Sequence, residues 1–472
     1  MKDDRREGID IHEEGAILVA VLLPERPDED DPLAELASLA EAAEVRVVGR
    51  LMQQRERPRA RTYLGKGKVE ELGTMVKALG AKVVIFDNDL SPMQIKSLEE
   101  DLKCKVLDRS ELILDIFANR AATKEARLQV EIAQLEYTAP RLRAMWSHLG
   151  QVTGGAPIGV GTRGPGEQQL EIDRRLVQSR LVQLRRNLAE VQSRRTREVA
   201  TRRDEHFTVG LVGYTNAGKS TMFNRLTEGG AFEADMLFAT LGTRIGAWNL
   251  GGGNTALLSD TVGFIRDLPH HLVASFRATL EETIYAHVLL IMLDVSDPNA
   301  ARQFETVTEV LDDIGARTQP RLLVLNKVDR LRESVHEGRT PSGVLEAWLE
   351  SNPGAIVASA RTGDGLDDLA EVVLGHLRGE MRDVTLTIPL RESRLVDLVE
   401  KRTEVLDRNY DMPGEVAIRV RIGRRQVETL LSAGSSFRID GLVGHEALAT
   451  IWPEPVLPTP PRIPPHLALH PR

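Results

Sequence analysis

Eight consecutive residues have the types and spacing of a loop that holds phosphate groups. An apolar, β-branched stretch, Phe207–Val212, leads into the pattern G-x-x-x-x-G-K-S, made by Gly213, Tyr214, Thr215, Asn216, Ala217, Gly218, Lys219 and Ser220, with Thr221 next. In this pattern backbone N–H groups face the phosphates, the lysine neutralises β/γ charge and the serine hydroxyl ligates Mg²⁺. We therefore predict a nucleotide site in which Lys219 is catalytic, Ser220 holds Mg²⁺ and a helix beginning near Lys219 adds its positive N-terminus.

Three later segments indicate which base the site accepts. Each follows a predicted strand, and they are Asp260-Thr261-Val262-Gly263, Asn326-Lys327-Val328-Asp329 and Ser359-Ala360-Arg361. We expect Asp260 to hold Mg²⁺ through water, and the Gly263 N–H to bond the γ-phosphate. The Asp329 carboxylate can accept two hydrogen bonds from guanine, and an adenine there would leave it unpaired at a cost of about 1–3 kcal/mol. A backbone N–H near Ala360 would bond the base oxygen. The order of these motifs predicts a guanine-nucleotide switch domain that binds GTP and GDP.

A further switch segment lies upstream, at Phe238-Ala239-Thr240-Leu241 followed by Gly242. Thr240 is the candidate to complete Mg²⁺ coordination and to sense the γ-phosphate, so we group it with Lys219 and Gly263 as catalytic. Phe264 stands where many switch GTPases have a glutamine that orients the attacking water. Phenylalanine cannot do this, so we expect slow intrinsic hydrolysis that needs an outside partner. The alternative is that Phe264 only packs and another residue contacts the water.

Composition excludes several classes of protein. The 472 residues carry a net charge of −9, which argues against nucleic-acid binding on average. Residues 174–203, however, hold ten arginines against two glutamates, which fits either a surface for a polyanion or a solvated helix face. The apolar run Ala16–Leu23 is too short to span a membrane, and the N-terminus has no apolar signal-peptide core, so we expect a cytoplasmic protein. A single cysteine, Cys104, excludes an internal disulfide framework.

The hydrophobic pattern divides the chain into an α/β architecture of several units. We predict an N-terminal α/β domain with a parallel sheet, a helical hairpin, a P-loop GTPase domain with a mostly parallel sheet, a small C-terminal α+β domain and a disordered proline-rich tail. Their predicted bounds are 1–108, 109–203, 204–379, 380–452 and 453–472. In the first unit, strands are expected at 16–23, 44–48, 82–86 and 105–107, and in the fourth the order strand, helix, strand, strand, helix.

Heptad stripes define the hairpin. One stripe begins Leu128, Ile132, Leu135 and the other is Val177, Leu181, Leu184, Leu188, Val191. Pro140 is expected to kink or restart the first helix. Between the helices, at about 150–167, lies a glycine-rich tip that fits either a probe for a crevice, such as one in RNA, or a simple connector.

In the first unit, Gly65-Lys66-Gly67-Lys68 opens a helix and is better explained by a turn than by an anion site.

Several stretches together resemble the HflX family of ribosome-associated GTPases, in the Obg-HflX-like superfamily. The similar segments are 163–175 (RGPGEQQLEIDRR), 112–118 (LILDIFA), 128–135 (LQVEIAQL), 260–269 (DTVGFIRDLP), 275–282 (SFRATLEE), 63–68 (YLGKGK) and 90–92 (LSP). The resemblance covers about 15–380 and is looser beyond. Two departures are Gly242, where the family usually has aspartate, and a tip a few residues longer than usual.

The resemblance implies a GTPase that binds the large ribosomal subunit and its ribosomal RNA and splits stalled ribosomes, with its hairpin tip near the peptidyl transferase centre. It also implies Mg²⁺ bound by Ser220 and Thr240, and ATP hydrolysis in some members. We further expect a monomer with no membrane association. Two other functions stay open. One is a GTP-dependent assembly or subunit-blocking factor with little intrinsic hydrolysis. The other is a signalling GTPase whose hairpin forms a dimerisation coiled coil.

Overall fold

The structure is a computed structural model of the whole chain. It describes residues 15–24, 31–146, 165–227, 243–251, 253–266, 281–317, 319–338, 343–379, 381–410, 413–432 and 437–452. The predicted first switch at 238–242, most of the glycine-rich tip and the proline-rich tail lie outside these ranges. No helix within them is both long and apolar enough to cross a membrane.

The first sheet is entirely parallel, with strand order β2-β1-β3-β4. Its elements are β1 (Gly15–Leu22), α1 (Ala34–Ala42), β2 (Arg46–Gln54), α2 (Lys66–Leu79), β3 (Val83–Phe86), α3 (Pro92–Leu102) and β4 (Lys105–Asp108). The helix α3 begins at a capping box, in which Ser91 and Gln94 bond each other's backbone N–H groups. The prediction of β2 at 44–48 was wrong in its bounds. This strand lies at the sheet edge, so its second half is partly exposed and polar and lacks an apolar run.

Three helices follow and build the hairpin: α4 (Arg109–Arg120), α5 (Lys124–Trp146) and α6 (Pro165–Glu205). The two heptad stripes pack on each other, with Leu128 and Ile132 of α5 against Leu181, Leu184 and Leu188 of α6. Pro140 was expected to kink or restart the first helix, and the restart is wrong because α5 continues through it to Trp146. A proline removes one backbone hydrogen bond, and the α5 residues of the seam, Leu128, Ile132 and Leu135, lie before it.

The second sheet is the scaffold of the predicted nucleotide site, with order β10-β9-β8-β5-β7-β6 and only β6 antiparallel. Its elements are β5 (Thr208–Gly213), α7 (Lys219–Leu226), β6 (Arg244–Gly251), β7 (Asn254–Asp260), α8 (Glu281–Tyr285), β8 (Val288–Asp294), α9 (Ala300–Asp313), β9 (Arg321–Asn326), α10 (Val328–His336), α11 (Val344–Ser351), β10 (Ile356–Val357) and α12 (Leu366–Arg378). The strand β8 is buried along its whole length, as a central parallel strand must be. The α/β fold class, with a mostly parallel sheet behind the predicted phosphate loop, is confirmed.

The third sheet is antiparallel, with order β12-β13-β11-β14-β15. Its elements are β11 (Arg382–Pro389), α13 (Ser393–Arg402), β12 (Glu404–Asn409), β13 (Glu415–Ile422), α14 (Arg424–Ser432), β14 (Arg438–Ile439), β15 (Leu442–Val443) and α15 (Gly444–Ile451). The last three were not predicted, and of these β14 and β15 have two residues each, which is too short to show a period. Arg425 joins this unit to the others. It donates 2.9 Å to the His206 carbonyl just past α6 and lies 5.0 Å from the centre of the Phe207 ring.

The first and second sheets are joined by one continuous apolar cluster and by a buried ionic cluster. The apolar cluster runs from Leu36 and Phe117 to Val212 and Phe264. The ionic cluster, which we call the joint, consists of Glu35, Asp87, Arg109, Tyr214 and Arg266. Arg109 donates to Asp87 at 2.7 Å and to Glu35 at 2.6 Å. Its guanidinium also donates to the Arg266 carbonyl at 3.2 Å.

Arg266 completes the charge balance of the joint. Its guanidinium lies 3.1 Å from Glu35 and 3.3 Å from Asp87. The backbone N–H of Arg266 donates 2.8 Å to the Tyr214 hydroxyl. The Tyr214 hydroxyl in turn donates to Glu35. Burial lowers the pKa of Arg109, but Glu35 and Asp87 outweigh it and raise that pKa above its ordinary value. Two cations and two carboxylates therefore neutralise each other away from water.

We predict that Arg109→Met destabilises the protein by about 3–5 kcal/mol, because it leaves two buried carboxylates with one guanidinium. The matched control is Arg61→Met, which breaks the exposed pair with Asp101 and should cost less than about 1 kcal/mol. Urea unfolding of both variants, followed by circular dichroism, measures the difference. Equal losses of stability would contradict a structural role for the joint.

Candidate functional site

The predicted phosphate loop connects the end of β5 to the start of α7, as expected. Gly213 has a φ of 154°, and a side chain there would meet the Met292 carbonyl at 2.4 Å. Gly218 has a φ of 90°, and a Cβ there would lie 2.3 Å from the Asn326 amide nitrogen. Both positions therefore require glycine. Asn216 also adopts the left-handed conformation, with a φ of 62°. The loop thus wraps back over the start of α7, the geometry of an anion-binding helix N-terminus.

Lys219 is buried beneath this loop. Its ammonium donates to the carbonyls of Gly213 at 3.1 Å and Tyr214 at 2.7 Å. Burial is the main cause that lowers the pKa of Lys219 to about 8, against the attraction of Asp260. A buried ammonium that is bonded to carbonyls is a strong site for an anion, and phosphate groups at this loop would supply the balancing charge.

The oxygen donors predicted for Mg²⁺ come together at the carboxyl end of β7. The Ser220 hydroxyl donates 2.8 Å to Asp260, which ends that strand. Hydroxyl and carboxylate oxygens suit Mg²⁺, which takes its remaining ligands from water and substrate phosphates. In the described ranges no three His, Cys, Asp or Glu side chains gather to form a metal site by themselves. The residues present therefore fit an ion shared with a nucleotide. Thr240, the other predicted ligand, lies outside the described residues, as do Phe238, Ala239, Leu241 and Gly242.

The segments predicted to bind the base meet beside the loop. Asn326 donates 2.8 Å to the Ala217 carbonyl and accepts 3.0 Å from the Ala360 N–H, so it ties three segments together. The Ser359 hydroxyl donates 2.8 Å to one oxygen of Asp329, and Arg361 lies 3.9 Å from the other. These contacts hold the Asp329 carboxylate in place, and its pairing with guanine stays a prediction.

Lys327 holds the base segment against the loop. It adopts a φ of 61°, pairs with Asp294 at 2.8 Å and contacts the Asn216 side chain at 3.5 Å. Asp294 was not predicted, although its place at the end of β8 is a usable signal. Val328 is buried and contributes packing.

Two members of the Asp260–Gly263 segment turn their side chains away from the loop. The Thr261 hydroxyl donates 2.7 Å to the Leu211 carbonyl on β5, and Val262 is buried in the apolar cluster. Phe264 is only 4% exposed and packs in the same cluster, which agrees with the alternative that it contributes packing. Its backbone bonds the loop on both sides, from its N–H to Gly213 at 3.1 Å and from the Thr215 N–H at 2.7 Å.

The sequence reasoning missed two contacts between the site and the other units. Tyr214 was predicted from its place in the loop, but its side chain belongs to the joint, where it bonds Glu35 and Arg266. Burial, followed by Glu35, raises the pKa of this phenol well above its usual value, so it stays protonated. At the base of the hairpin, Arg195 donates 2.6 Å to Glu125 and 2.6 Å to Thr243, the residue that follows the predicted first switch. Contacts across such sequence distances leave no local pattern.

Four family models match successive parts of the chain. They are described as GTP-binding GTPase N-terminal at residues 30–118, GTP-binding GTPase Middle Region at 120–202, 50S ribosome-binding GTPase at 208–327 and HflX C-terminal domain at 345–433.

Curated relatives resemble the chain over most of its length. GTPase HflX of Escherichia coli (strain K12) is 42% identical over 410 residues, covering 87% of this chain and 93% of that protein. GTPase HflX of Caldanaerobacter subterraneus subsp. tengcongensis is 40% identical over 402 residues, covering 85% and 89%. Among solved structures, a GTP-binding protein from Sulfolobus solfataricus in complex with GDP is 22% identical, with a TM-score of 0.41 and coverage of 77% and 98%.

We predict that Asp329→Asn weakens GTP and GDP binding by about 10- to 100-fold and favours xanthine nucleotides, because the amide cannot accept both bonds from guanine. Titration with fluorescent guanine and xanthine nucleotides measures the change. Lys219→Ala serves as the comparison, since it should abolish triphosphate binding whatever the base. Unchanged GTP affinity in Asp329→Asn would refute the assignment of the base site.

Proposed function

The chain belongs to the HflX family and is a GTPase, and on that premise we propose that it binds the large ribosomal subunit through ribosomal RNA and splits or remodels stalled ribosomes in its GTP state. The domain that carries its nucleotide site matches a family described as 50S ribosome-binding GTPase. The proposal includes Mg²⁺ at Ser220, Thr240 and, through water, Asp260. It also includes a monomer that acts in the cytoplasm, where its substrate ribosomes would be.

The charge of the helical hairpin supports an RNA partner. Some arginines of α6 are neutralised across the hairpin, as in the pairs of Arg180 with Glu131 and Arg185 with Glu136, both at 2.7 Å. Others point outward. The side chains of Arg186 and Arg194 are 83% and 81% exposed and pair with glutamates one turn away on the same helix. Exposed pairs of this kind are weak, so these guanidinium groups remain available for phosphates.

The observation that carries the proposal is the contact of Arg195 with both Glu125 and Thr243. It joins the base of the basic hairpin to the strand that leaves the predicted first switch. The side chains of Arg195 and Glu125 are 20% and 10% exposed, so this ion pair is largely shielded from water. A nucleotide that reorders residues 238–242 would therefore act on the hairpin through a direct contact.

The packing of the hairpin bears on the signalling alternative. In a dimerisation coiled coil the heptad seam faces a second chain. Here the seam residues of α6, Leu181, Leu184 and Leu188, are buried against α5 of the same chain. The seam is thus used within one molecule, which favours an arm over a dimer interface. The alternative of an assembly or subunit-blocking factor requires the same hairpin contacts as the proposed function. It differs from that function only in how fast GTP is hydrolysed.

We predict that the protein sediments with purified large subunits in GTP or a non-hydrolysable analogue and much less in GDP. GTP hydrolysis should rise at least several-fold when large subunits are added, because a bound partner can order the switch segments and stabilise the transition-state charge. Multiple-turnover phosphate release, with and without subunits, measures this. Nucleotide-dependent binding with no stimulation would support the subunit-blocking function instead, and equal binding in both nucleotides would refute the switch.

We predict that Arg186→Gln with Arg194→Gln weakens binding to the large subunit about tenfold at moderate salt. The slope of log affinity against log salt should fall by about 0.7–0.9 for each phosphate that the variant no longer neutralises. The matched control is Arg317→Gln with Arg332→Gln, which removes two similarly exposed, surface-paired arginines of the GTPase domain. If both double variants bind alike at every salt concentration, the hairpin does not bind the RNA.

A further inference from the structure

The water that attacks the γ-phosphate must be oriented by a polar group, and Phe264 does not provide one. Phe264 has no polar group to offer, and its ring lies in the apolar cluster shared by the first and second sheets. Its backbone is engaged on both sides with the phosphate loop, so it does not turn toward the phosphates without breaking those bonds. Hydrolysis in this chain must then draw its water contact from another residue.

Thr215 carries a buried hydroxyl that is able to form a hydrogen bond with a water molecule. The residue is 5% exposed, and within the described part of the chain its Oγ1 is buried without a hydrogen-bond partner. Other hydroxyls in this region are satisfied, as Ser220 is by Asp260 and Thr261 by Leu211. A buried hydroxyl with no partner costs free energy, so a site that keeps one points to a partner present only when substrate is bound.

The position of Thr215 places it against the groups that face the γ-phosphate. A Cβ built on Gly263 would lie 2.9 Å from both the Cα and the Cγ2 of Thr215, and 2.8 Å from the Lys219 ammonium. The Gly263 N–H and Lys219 are the two groups expected to hold that phosphate. Thr215 therefore lies next to the two groups expected to hold the γ-phosphate.

The same residue lines a polar cavity with room for water. The cavity has a volume of about 190 Å³ and lies between the phosphate loop, α1 and α9. Glu35, Asn216, Arg266 and Arg302 are among its other lining residues. A polar space of this size has room for several waters, each needing two to four polar partners.

We propose that the Thr215 hydroxyl binds and orients the water that attacks the γ-phosphate, in the place of the missing glutamine. The water oxygen forms a bond to the γ-phosphorus while the bond from phosphorus to the β–γ bridging oxygen breaks, and that electron pair leaves with GDP. The water proton passes to an oxygen of the released phosphate. Thr215 accepts a hydrogen bond from the water and takes no proton itself, so its contribution is orientation.

The test compares Thr215→Val, which keeps the shape and removes the hydroxyl, with Thr215→Ser, which keeps the hydroxyl. Single-turnover GTP hydrolysis is measured without and with large ribosomal subunits. We expect Thr215→Val to slow hydrolysis by about 10- to 100-fold in both conditions. Affinities for GDP and a non-hydrolysable GTP analogue should stay within about twofold, and Thr215→Ser should stay within about threefold of the parent rate.

The matched control is Thr306→Val in the same cavity, whose hydroxyl is already bonded 3.1 Å to the Arg302 carbonyl and should not affect the rate. The nucleotide-free Thr215→Val protein should melt at or above the temperature of the parent, since it loses a hydroxyl without a partner. Two results would overturn the proposal. One is hydrolysis at the parent rate in Thr215→Val. The other is loss of analogue affinity equal to the loss of rate, which would assign the hydroxyl to ground-state phosphate binding.

Discussion

The buried ionic joint is the interaction on which the arrangement of the first two sheets depends. Asp87 follows β3 of the first sheet, Arg109 begins α4, and Arg266 comes from the segment that follows Gly263. Charges this far from water are tolerated only when each has its partner, so the joint permits one relative placement of the two units. The apolar cluster around it contributes burial, but apolar contacts alone are not directional.

The joint is connected directly to the predicted nucleotide site. Tyr214 is both a member of the joint and the second residue of the phosphate loop, and its carbonyl accepts a bond from Lys219. Arg266 is three residues beyond Gly263. A movement of either segment on nucleotide binding would strain or rearrange the joint, while Arg195 provides a separate contact between the hairpin and Thr243, the residue after the predicted first switch. The hairpin and the first sheet thus contact the GTPase domain at Thr243, at the phosphate loop and at the segment after Gly263.

The nucleotide site was largely predictable because its chemistry is local. Glycines at positions with positive φ, a lysine at a helix start and polar residues at strand ends each form a motif that a few consecutive residues reveal. Asn326 and Asp329 were placed correctly beside the loop for this reason. The heptad seam was predictable on the same grounds, since a repeat of period 3.5 needs no partner to be recognised. The short strands β14 and β15 were missed because two residues show no period.

The sequence by itself determined the order of motifs, the seam of the hairpin and the membership of the family. Only the tertiary structure decided what Tyr214, Phe264 and Arg266 do. Each has neighbours that are distant in sequence, and their identity follows from how two sheets pack. The same holds for the Thr215 hydroxyl, which has no hydrogen-bond partner among the described residues, because whether a polar group has a partner is a property of the folded surroundings and not of the residue type.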